Sequence, residues 1–304
     1  MEIFPSVIIP TYNQSLRLNF TLESLLEQTE SNFEVIIVDD GSTDNTKETV
    51  ELYKDKLMIK YRYQNNRGRA EARNEGINIS RGNVLLFLDA DRPVSKNWVK
   101  THIFQHQTRN NLVCIGEIRE FYFSDLIKQK ESLLEDIHNN YIKYQKFSRK
   151  YSYWNFVSKG FDNEGNCFLN APWITTLIGN LSMRKELLEE VGKFDINFKS
   201  WGFEHFELGY RLFNVGGARF KYIKDATNYH LAHSRPEDFY KKNIDESRNY
   251  FFKKYNDEAI NSLSQLLNGE ISLNRFNLIT GDGTHVSNFE EGEIFYKSPS
   301  LSRL

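Results

Sequence analysis

Through the first 115 residues, short aliphatic runs alternate with amphipathic stretches. Val7–Ile9, Val35–Val38, Val84–Leu88 and Val113–Ile115 are nearly unbroken and of strand length, the pattern of strands buried on both faces. Between the first two, Leu18, Leu22, Leu25 and Leu26 recur at helical spacing behind Ser15, a candidate cap. Gly41-Ser42-Thr43-Asp44 offers a turn and caps ahead of a second helix containing Val50, Leu52 and Tyr53, and a third runs from Arg69 to Ile79, stopped by Arg81-Gly82. This rhythm predicts an α/β fold with a mostly parallel sheet flanked by helices, whose ligands collect at the carboxyl ends of the strands. Further on, Leu187 to Val191 predicts a short helix. Glu204, Glu207 and Arg211 fall at spacings of three and four, so they share one helical face and can ion-pair. Beyond Arg235, the positions of Phe239, Ile244, Tyr250, Phe251, Tyr255, Ile260, Leu263, Leu266 and Leu267 suggest one or two amphipathic helices, with Lys241, Lys242, Lys253 and Lys254 on other faces. Such helices could mediate homo-oligomerisation, touch anionic lipid or only cover the core. Residues 268–304 mix Gly, Ser, Asn and short apolar pieces and carry no assignment.

The 304 residues hold 39 basic and 41 acidic side chains, so a net charge of −2 gives no global reason to expect nucleic-acid binding. Two cysteines, Cys114 and Cys167, are too few for a disulfide scaffold and too far apart for a metal knuckle, which fits a reducing cytosol. The opening MEIFPSVIIP lacks a basic n-region and a long apolar h-region, and no later stretch approaches 18 uninterrupted apolar residues. The expectation is a cytoplasmic protein, at most peripheral to a membrane. Aromatic residues make up 14% of the chain and are dense between Phe121 and Phe156, where they need either a core or a ligand to cover them.

Candidate chemistry sits at the strand ends. The run Val35–Val38 terminates in Asp39-Asp40-Gly41-Ser42, and the run Val84–Leu88 in Asp89-Ala90-Asp91. Asp39-Asp40 alone reads equally as a turn and helix cap. Two carboxylate pairs where buried strands emerge are costly unless a cation and a polar ligand neutralise them. The D-x-D spacing lets one carboxylate reach a metal and the other a sugar or water. These residues predict a concentrated anionic site that needs a cation to balance it.

Pro10-Thr11-Tyr12-Asn13, Val38-Asp39-Asp40-Gly41-Ser42-Thr43-Asp44, Asn66-Arg67-Gly68 with Ala72-Arg73-Asn74-Glu75-Gly76, and Leu88-Asp89-Ala90-Asp91 together resemble the family 2 type of GT-A glycosyltransferase. The resemblance implies that Pro10, Thr11 and Tyr12 line the nucleotide pocket, that Asp39 accepts from the uracil ring, and that Arg67 and Arg73 lie near the base and diphosphate. Asp89 would face the ribose or donor sugar with Ala90 beside it. Asp91, with Asp89 as a second ligand, would hold a Mn²⁺ or Mg²⁺ ion on the two phosphates. A second stretch, Gly179-Asn180-Leu181-Ser182 followed by Trp201-Gly202-Phe203-Glu204-His205-Phe206-Glu207 and Arg211, resembles the W-G-x-E-D-x-E-x-x-x-R motif of galactosyl- and N-acetylgalactosaminyltransferases. That motif shapes the donor-sugar and acceptor site and adds Trp201 and Glu204 to the list. His205 departs from it, standing where inverting members carry the Asp that acts as general base; imidazole titrates near neutrality and can fill that role, with Glu204 the other candidate. Tyr229-His230-Leu231-Ala232-His233-Ser234-Arg235 resembles a His-Ser-Arg stretch that supplies a manganese ligand, which implies His233 first and His230 second. Imidazole ligation favours Mn²⁺ over Mg²⁺.

By the same resemblance, residues 1–115 form the nucleotide-sugar-binding half of a GT-A (Rossmann-like) domain, 116–235 its acceptor-binding and catalytic half, and 236–304 a C-terminal helical extension and tail. The implied activity is metal-dependent transfer, with inversion, from a UDP-sugar to a glycoprotein, polysaccharide or lipid-linked glycan. A dinucleotide-dependent oxidoreductase would carry G-x-G-x-x-G after its first strand, where this chain reads Pro-Thr-Tyr-Asn-Gln, and no P-loop occurs. The competing reading is a non-catalytic glycan- or nucleotide-binding module on the same fold. Asp89 and Asp91 argue against it, and His205 argues for it.

Overall fold

The computed structural model describes residues 2–297 apart from 142, 144, 200, 201, 234–236, 282–288, 290 and 291; for 237–244 it describes the backbone alone. Eight strands form one sheet: β1 (Pro5–Thr11), β2 (Glu34–Asp39), β3 (Ile59–Tyr63), β4 (Val84–Leu88), β5 (Leu112–Phe121), β6 (Arg149–Lys150), β7 (Asn180–Arg184) and β8 (Arg219–Leu231). Their spatial order is β3-β2-β1-β4-β7-β5-β6, with β8 also paired to β5. β1 to β4 are mutually parallel and β8 is parallel to β5, while β7 runs antiparallel between β4 and β5 and β6 antiparallel beside β5. The fold is therefore the mostly parallel α/β sheet that the aliphatic runs predict.

Those four runs lie inside β1, β2, β4 and β5 because both faces of the sheet are covered. On one face Ile8, Ile36, Val38, Phe87, Val113 and Ile115 join the larger core cluster. On the other, Val7, Ile9, Val35, Ile37, Leu86 and Leu88 pack in the second cluster. Helices α1 (Ser15–Leu26), α2 (Thr46–Glu51), α3 (Arg69–Ile79), α4 (Trp98–Gln105) and α5 (Lys130–His138) accompany the first five strands, and α6 (Ser152–Val157), α7 (Lys185–Val191) and α8 (Glu204–Asn214) the rest. The predicted third helix coincides with α3. The first begins at Ser15, but Ser15 is not its cap: Gln14 holds that position without a side-chain bond, and the Ser15 amide donates to Asp44 Oδ2 at 2.9 Å. Asp44 Oδ1 also takes the Thr46 amide at 3.1 Å, so one carboxylate serves two helix starts. Leu52, expected on the buried side of the second helix, lies just past it and is 66% exposed.

Among the described residues, three helices follow β8: α9 (Glu237–Lys254), α10 (Glu258–Leu267) and α11 (Leu273–Ile279). Phe251, Ile260, Leu263, Leu266, Leu273 and Phe276 are buried in the larger core cluster beside Trp173 and Phe206, so these apolar positions cover the core. Phe239, Lys241, Lys242 and Ile244, also placed on these helices from the sequence, have side chains outside the described residues. Most of the aromatic stretch has the same use: Phe121, Tyr141, Tyr153, Trp154 and Phe156 are buried. Tyr122 and Phe147 are the exposed members, at 49% and 73%. Tyr144 lies outside the described residues. Cys114 and Cys167 are free thiols, and among the described residues no helix is long and apolar enough to cross a membrane.

Candidate active site at the carboxyl ends of the strands

β1 and β2 end in register, Thr11 opposite Asp39. Asp39 is buried; its Oδ1 accepts the Ser42 amide at 2.8 Å and its Oδ2 the Tyr61 hydroxyl at 2.6 Å. Asp40 holds the neighbouring loop, accepting the Arg67 and Gly68 amides, each at 2.9 Å, and Gln64 Nε2 at 2.7 Å. Gly41 is required between them: its φ is +91°, and a Cβ there would stand 2.9 Å from the Asn66 amide nitrogen. Thr11 is buried with its hydroxyl unpartnered, Pro10 is half-buried and Tyr12 is exposed. Arg67 projects its side chain to solvent, so in this loop the amide is the group the fold positions.

At the end of β4 the predicted anionic site turns out to be compensated by arginines. Asp89 Oδ1 accepts from Arg73 Nη2 at 3.0 Å and Oδ2 from Arg92 Nε at 3.2 Å. Arg73, buried on α3, reaches Glu204 Oε1 with its other nitrogen at 3.2 Å and rests on the Phe194 ring. Arg92 Nε also lies 4.0 Å from Asp91 Oδ1. Burial alone would push the Asp89 carboxyl up, but Arg73 and Arg92 outweigh it and hold the group below its ordinary range. The need for a cation at this pair, read from the sequence, is thus partly met from within the chain. Ala90 is buried and lends its carbonyl to the Thr21 hydroxyl at 2.7 Å, which fixes the bend between the two aspartates.

Among the described residues, Asp91, His230 and His233 form a group whose ligand-type atoms all lie within 4.8 Å of one another. Asp91 is 6% exposed, and its Oδ2 stands 3.5 Å from Nε2 of each histidine. β8 makes this possible by pairing with β5, which sets His230 opposite Glu120 and brings their side chains together, Nδ1 to Oε1 at 3.0 Å. The Tyr122 hydroxyl holds the other Glu120 oxygen at 2.8 Å. A carboxylate on one ring nitrogen fixes the tautomer that leaves Nε2 as a ligand, the usual outer-shell arrangement of a metal-binding histidine. One carboxylate and two imidazoles, one of them so oriented, fit a divalent transition ion. Asp89 stands outside the trio, engaged by Arg73 and Arg92.

Glu204 and His205 open α8, immediately after Gly202 and Phe203, both at positive φ (+96° and +65°). A left-handed phenylalanine is uncommon. Glu204 is buried, and while Arg73 binds Oε1, Oε2 makes no hydrogen bond; His205 Nδ1 is 3.7 Å from it. Burial would raise the Glu204 pKa, yet His205, Arg73 and Arg69 hold it far below the ordinary range. Of the residues that the spacing placed on one face, Glu207 and Arg211 form the i, i+4 ion pair, while Glu204 pairs with Arg73. Arg211 grips the fully buried Glu207 through two bonds of 2.8 Å, and Lys254 Nζ at 2.8 Å and the Tyr255 hydroxyl at 2.7 Å complete that carboxylate. Trp201 lies outside the described residues, as do Ser234 and Arg235. Arg92 and Glu120 escaped sequence reasoning; the signal available was Arg92 following the D-x-D directly, and none marked Glu120.

A mostly parallel sheet with a D-x-D turn at its carboxyl edge defines a GT-A glycosyltransferase domain. The chain belongs to the family described as glycosyl transferase family 2, whose model matches residues 6–192. α8, His230 and His233 fall beyond that match. The chain is 31% identical over 306 residues to "Uncharacterized glycosyltransferase YfnE" of Bacillus subtilis (strain 168), covering 91% of this chain and 77% of that one. It is 33% identical over 237 residues to chondroitin synthase of Pasteurella multocida (strain Pm70), covering 74% of this chain and 24% of that one, so it spans about a quarter of that relative. Among solved structures, S. aureus TarS 1-349 in complex with UDP superposes with a TM-score of 0.58 at 22% identity, over 93% of this chain and 70% of that one.

Proposed function

We propose that this family 2 transferase moves a hexose or N-acetylhexosamine from a UDP-sugar to a glycan borne on a glycoprotein, a polysaccharide or a lipid carrier, in a metal-dependent reaction that inverts the anomeric centre. The observation that carries the reading is the convergence of Asp91, His230 and His233 at the strand ends where Arg73 joins Asp89 to Glu204. The structures of S. aureus TarS 1-349 in complex with UDP and with UDP-GlcNAc support the donor class. Residues 1–115 act as the donor half of one domain and 116–235 as its acceptor and catalytic half, with α9 to α11 as cover. Pro10, Thr11, Tyr12 and Asp39 line the nucleoside end, and Asp89 with Arg73 faces the sugar and diphosphate. Asp91, His230 and His233 would hold Mn²⁺, which supplies a fixed positive charge for the departing diphosphate.

His205 is the general base. Arg73 engages Glu204 Oε1, and the other Glu204 oxygen, beside His205 Nδ1, can orient the ring so that Nε2 takes the proton. The acceptor hydroxyl gives that proton to His205 and bonds to the anomeric carbon; the bond to the diphosphate oxygen breaks and its electron pair leaves with UDP. Replacing His205 by Ala should cut turnover on the order of a hundredfold while leaving UDP binding unchanged; a rate near that of the wild type would remove histidine from this role. A panel of UDP-sugars with Mn²⁺, read as UDP release and followed by NMR of the product linkage, tests the whole reading. Release should cease in EDTA and return on adding Mn²⁺. No release and no UDP binding would leave a non-catalytic module.

A further inference from the structure

We propose that Arg92 is a ligand of the donor diphosphate that serves as counter-ion to Asp89 and Asp91 until the donor arrives. The inference rests on the nucleoside-diphosphate donor argued above. Arg92 is held close to both aspartates, 3.2 Å from Asp89 Oδ2 and 4.0 Å from Asp91 Oδ1, with only 13% of its side chain exposed. A guanidinium carries five N–H donors in one plane. Here Nε serves the carboxylates, while Nη1 is buried and makes no hydrogen bond. Leaving a charged donor unsatisfied is expensive, and a diphosphate oxygen is the acceptor that would satisfy it, in the planar geometry that suits arginine.

A second observation shows that the fold keeps space for this pair. A Cβ on Gly179 would fall 2.5 Å from Asp89 Oδ2 and 2.6 Å from Arg92 Nε, so a larger residue in the lead-in to β7 would displace one of these two side chains. A third concerns the two oxygens of Asp91. Arg92 approaches Oδ1, whereas His230 and His233 face Oδ2, so the carboxylate answers to a resident cation on one side and to the metal ligands on the other.

The arrangement has a consequence for binding order. While Arg92 lies against the aspartates, its positive charge opposes a second cation at Asp91. A diphosphate that draws Arg92 to itself removes the opposition, so nucleotide and metal should each tighten the other by the same factor.

The experiment is a binding cycle on the full chain: UDP by calorimetry in EDTA, and Mn²⁺ by the electron paramagnetic resonance of the free ion, with and without UDP. For Arg92→Gln, UDP binding in EDTA should weaken on the order of tenfold or more, Mn²⁺ alone should bind more tightly than to the wild type, and the mutual enhancement should shrink. Arg92→Lys keeps the charge without the fork, so UDP should weaken while Mn²⁺ alone binds as it does to the wild type. Should Arg92→Gln fail to fold, the Lys variant decides. Unchanged UDP affinity in a folded variant, or a parallel loss of UDP and Mn²⁺ binding, would overturn the role of Arg92 and leave the donor reading standing. A wild-type chain that binds no UDP with or without Mn²⁺ would overturn both.

Discussion

Asp91→Asn is expected to abolish Mn²⁺ binding and to lower turnover about a thousandfold, because the positive charge that an ion held by Asp91 would supply to the departing diphosphate would lower the barrier by several kcal/mol. The amide keeps the shape of the side chain, and the Asp91 carbonyl that accepts the Leu231 amide at 2.9 Å is untouched. The melting temperature should therefore stay near that of the wild type. What changes is the oxygen on which His230 and His233 converge, 3.5 Å from each. Glu120→Gln provides the graded control: it leaves all three ligands in place but replaces the carboxylate that orients His230, and should weaken Mn²⁺ by about 10- to 100-fold. Free-ion paramagnetic resonance measures the metal and UDP release measures the rate. An Asp91→Asn chain that retains a tenth of its turnover, or still binds Mn²⁺, would show that the metal is held elsewhere.

How far these features were legible depends on whether they are written locally. β1, β2, β4 and β5 announce themselves because strands covered on both faces must be aliphatic throughout. β3 does not, since it is an edge strand in which Lys60, Arg62 and Tyr63 are exposed. β7 is wholly buried yet reads Asn-Leu-Ser-Met-Arg, its polar members being spent on internal bonds such as Trp98 Nε1 to Asn180 Oδ1 at 2.7 Å. The D-x-D turn and the two histidines were legible as residues with the right chemistry. Which partner each would take was not. Arg73 meets Glu204 across 131 positions, and His230 meets Glu120 across 110, through the pairing of β8 with β5. Helical spacing set Glu207 and Arg211 four apart on one face, and they do pair, with Arg211 also held by the Val191, Gly192 and Lys193 carbonyls at the end of α7, while Glu204 turns to Arg73 from another helix. Local periodicity ranks candidates for a pair, and the tertiary fold decides among them. The same reason explains why a sequence count of acids at the site overstated its negative charge: the balancing arginines come from a different helix and from the residue just past the turn.

Arg73 is where that balance is most exposed to mutation. Arg73→Met, which keeps bulk against Phe194 and removes the charge, is expected to destabilise the fold by about 3 kcal/mol, the low end for breaking a buried pair. The low end applies because Asp89 keeps 30% of its side-chain exposure, while Glu204 keeps 9%. Both carboxyls sit below their ordinary range in the folded protein, in each case because neighbouring cations override the upward push of burial. Their contribution is therefore fully present above the unfolded carboxylate range and is lost as pH falls through the folded values. Without Arg73 both groups shift upward and take up protons more easily on acidification. The deficit of the variant should then be largest near pH 7 and narrow towards about pH 4, where a neutral carboxyl no longer needs its partner. Urea unfolding at the two pH values measures it, and adding Glu204→Gln to the Arg73→Met chain should recover part of the loss at neutral pH, since one of the stranded charges is gone. A deficit below about 1 kcal/mol at pH 7, or one that is equal at both pH values, would mean that Arg73 does not bridge Asp89 and Glu204 in solution.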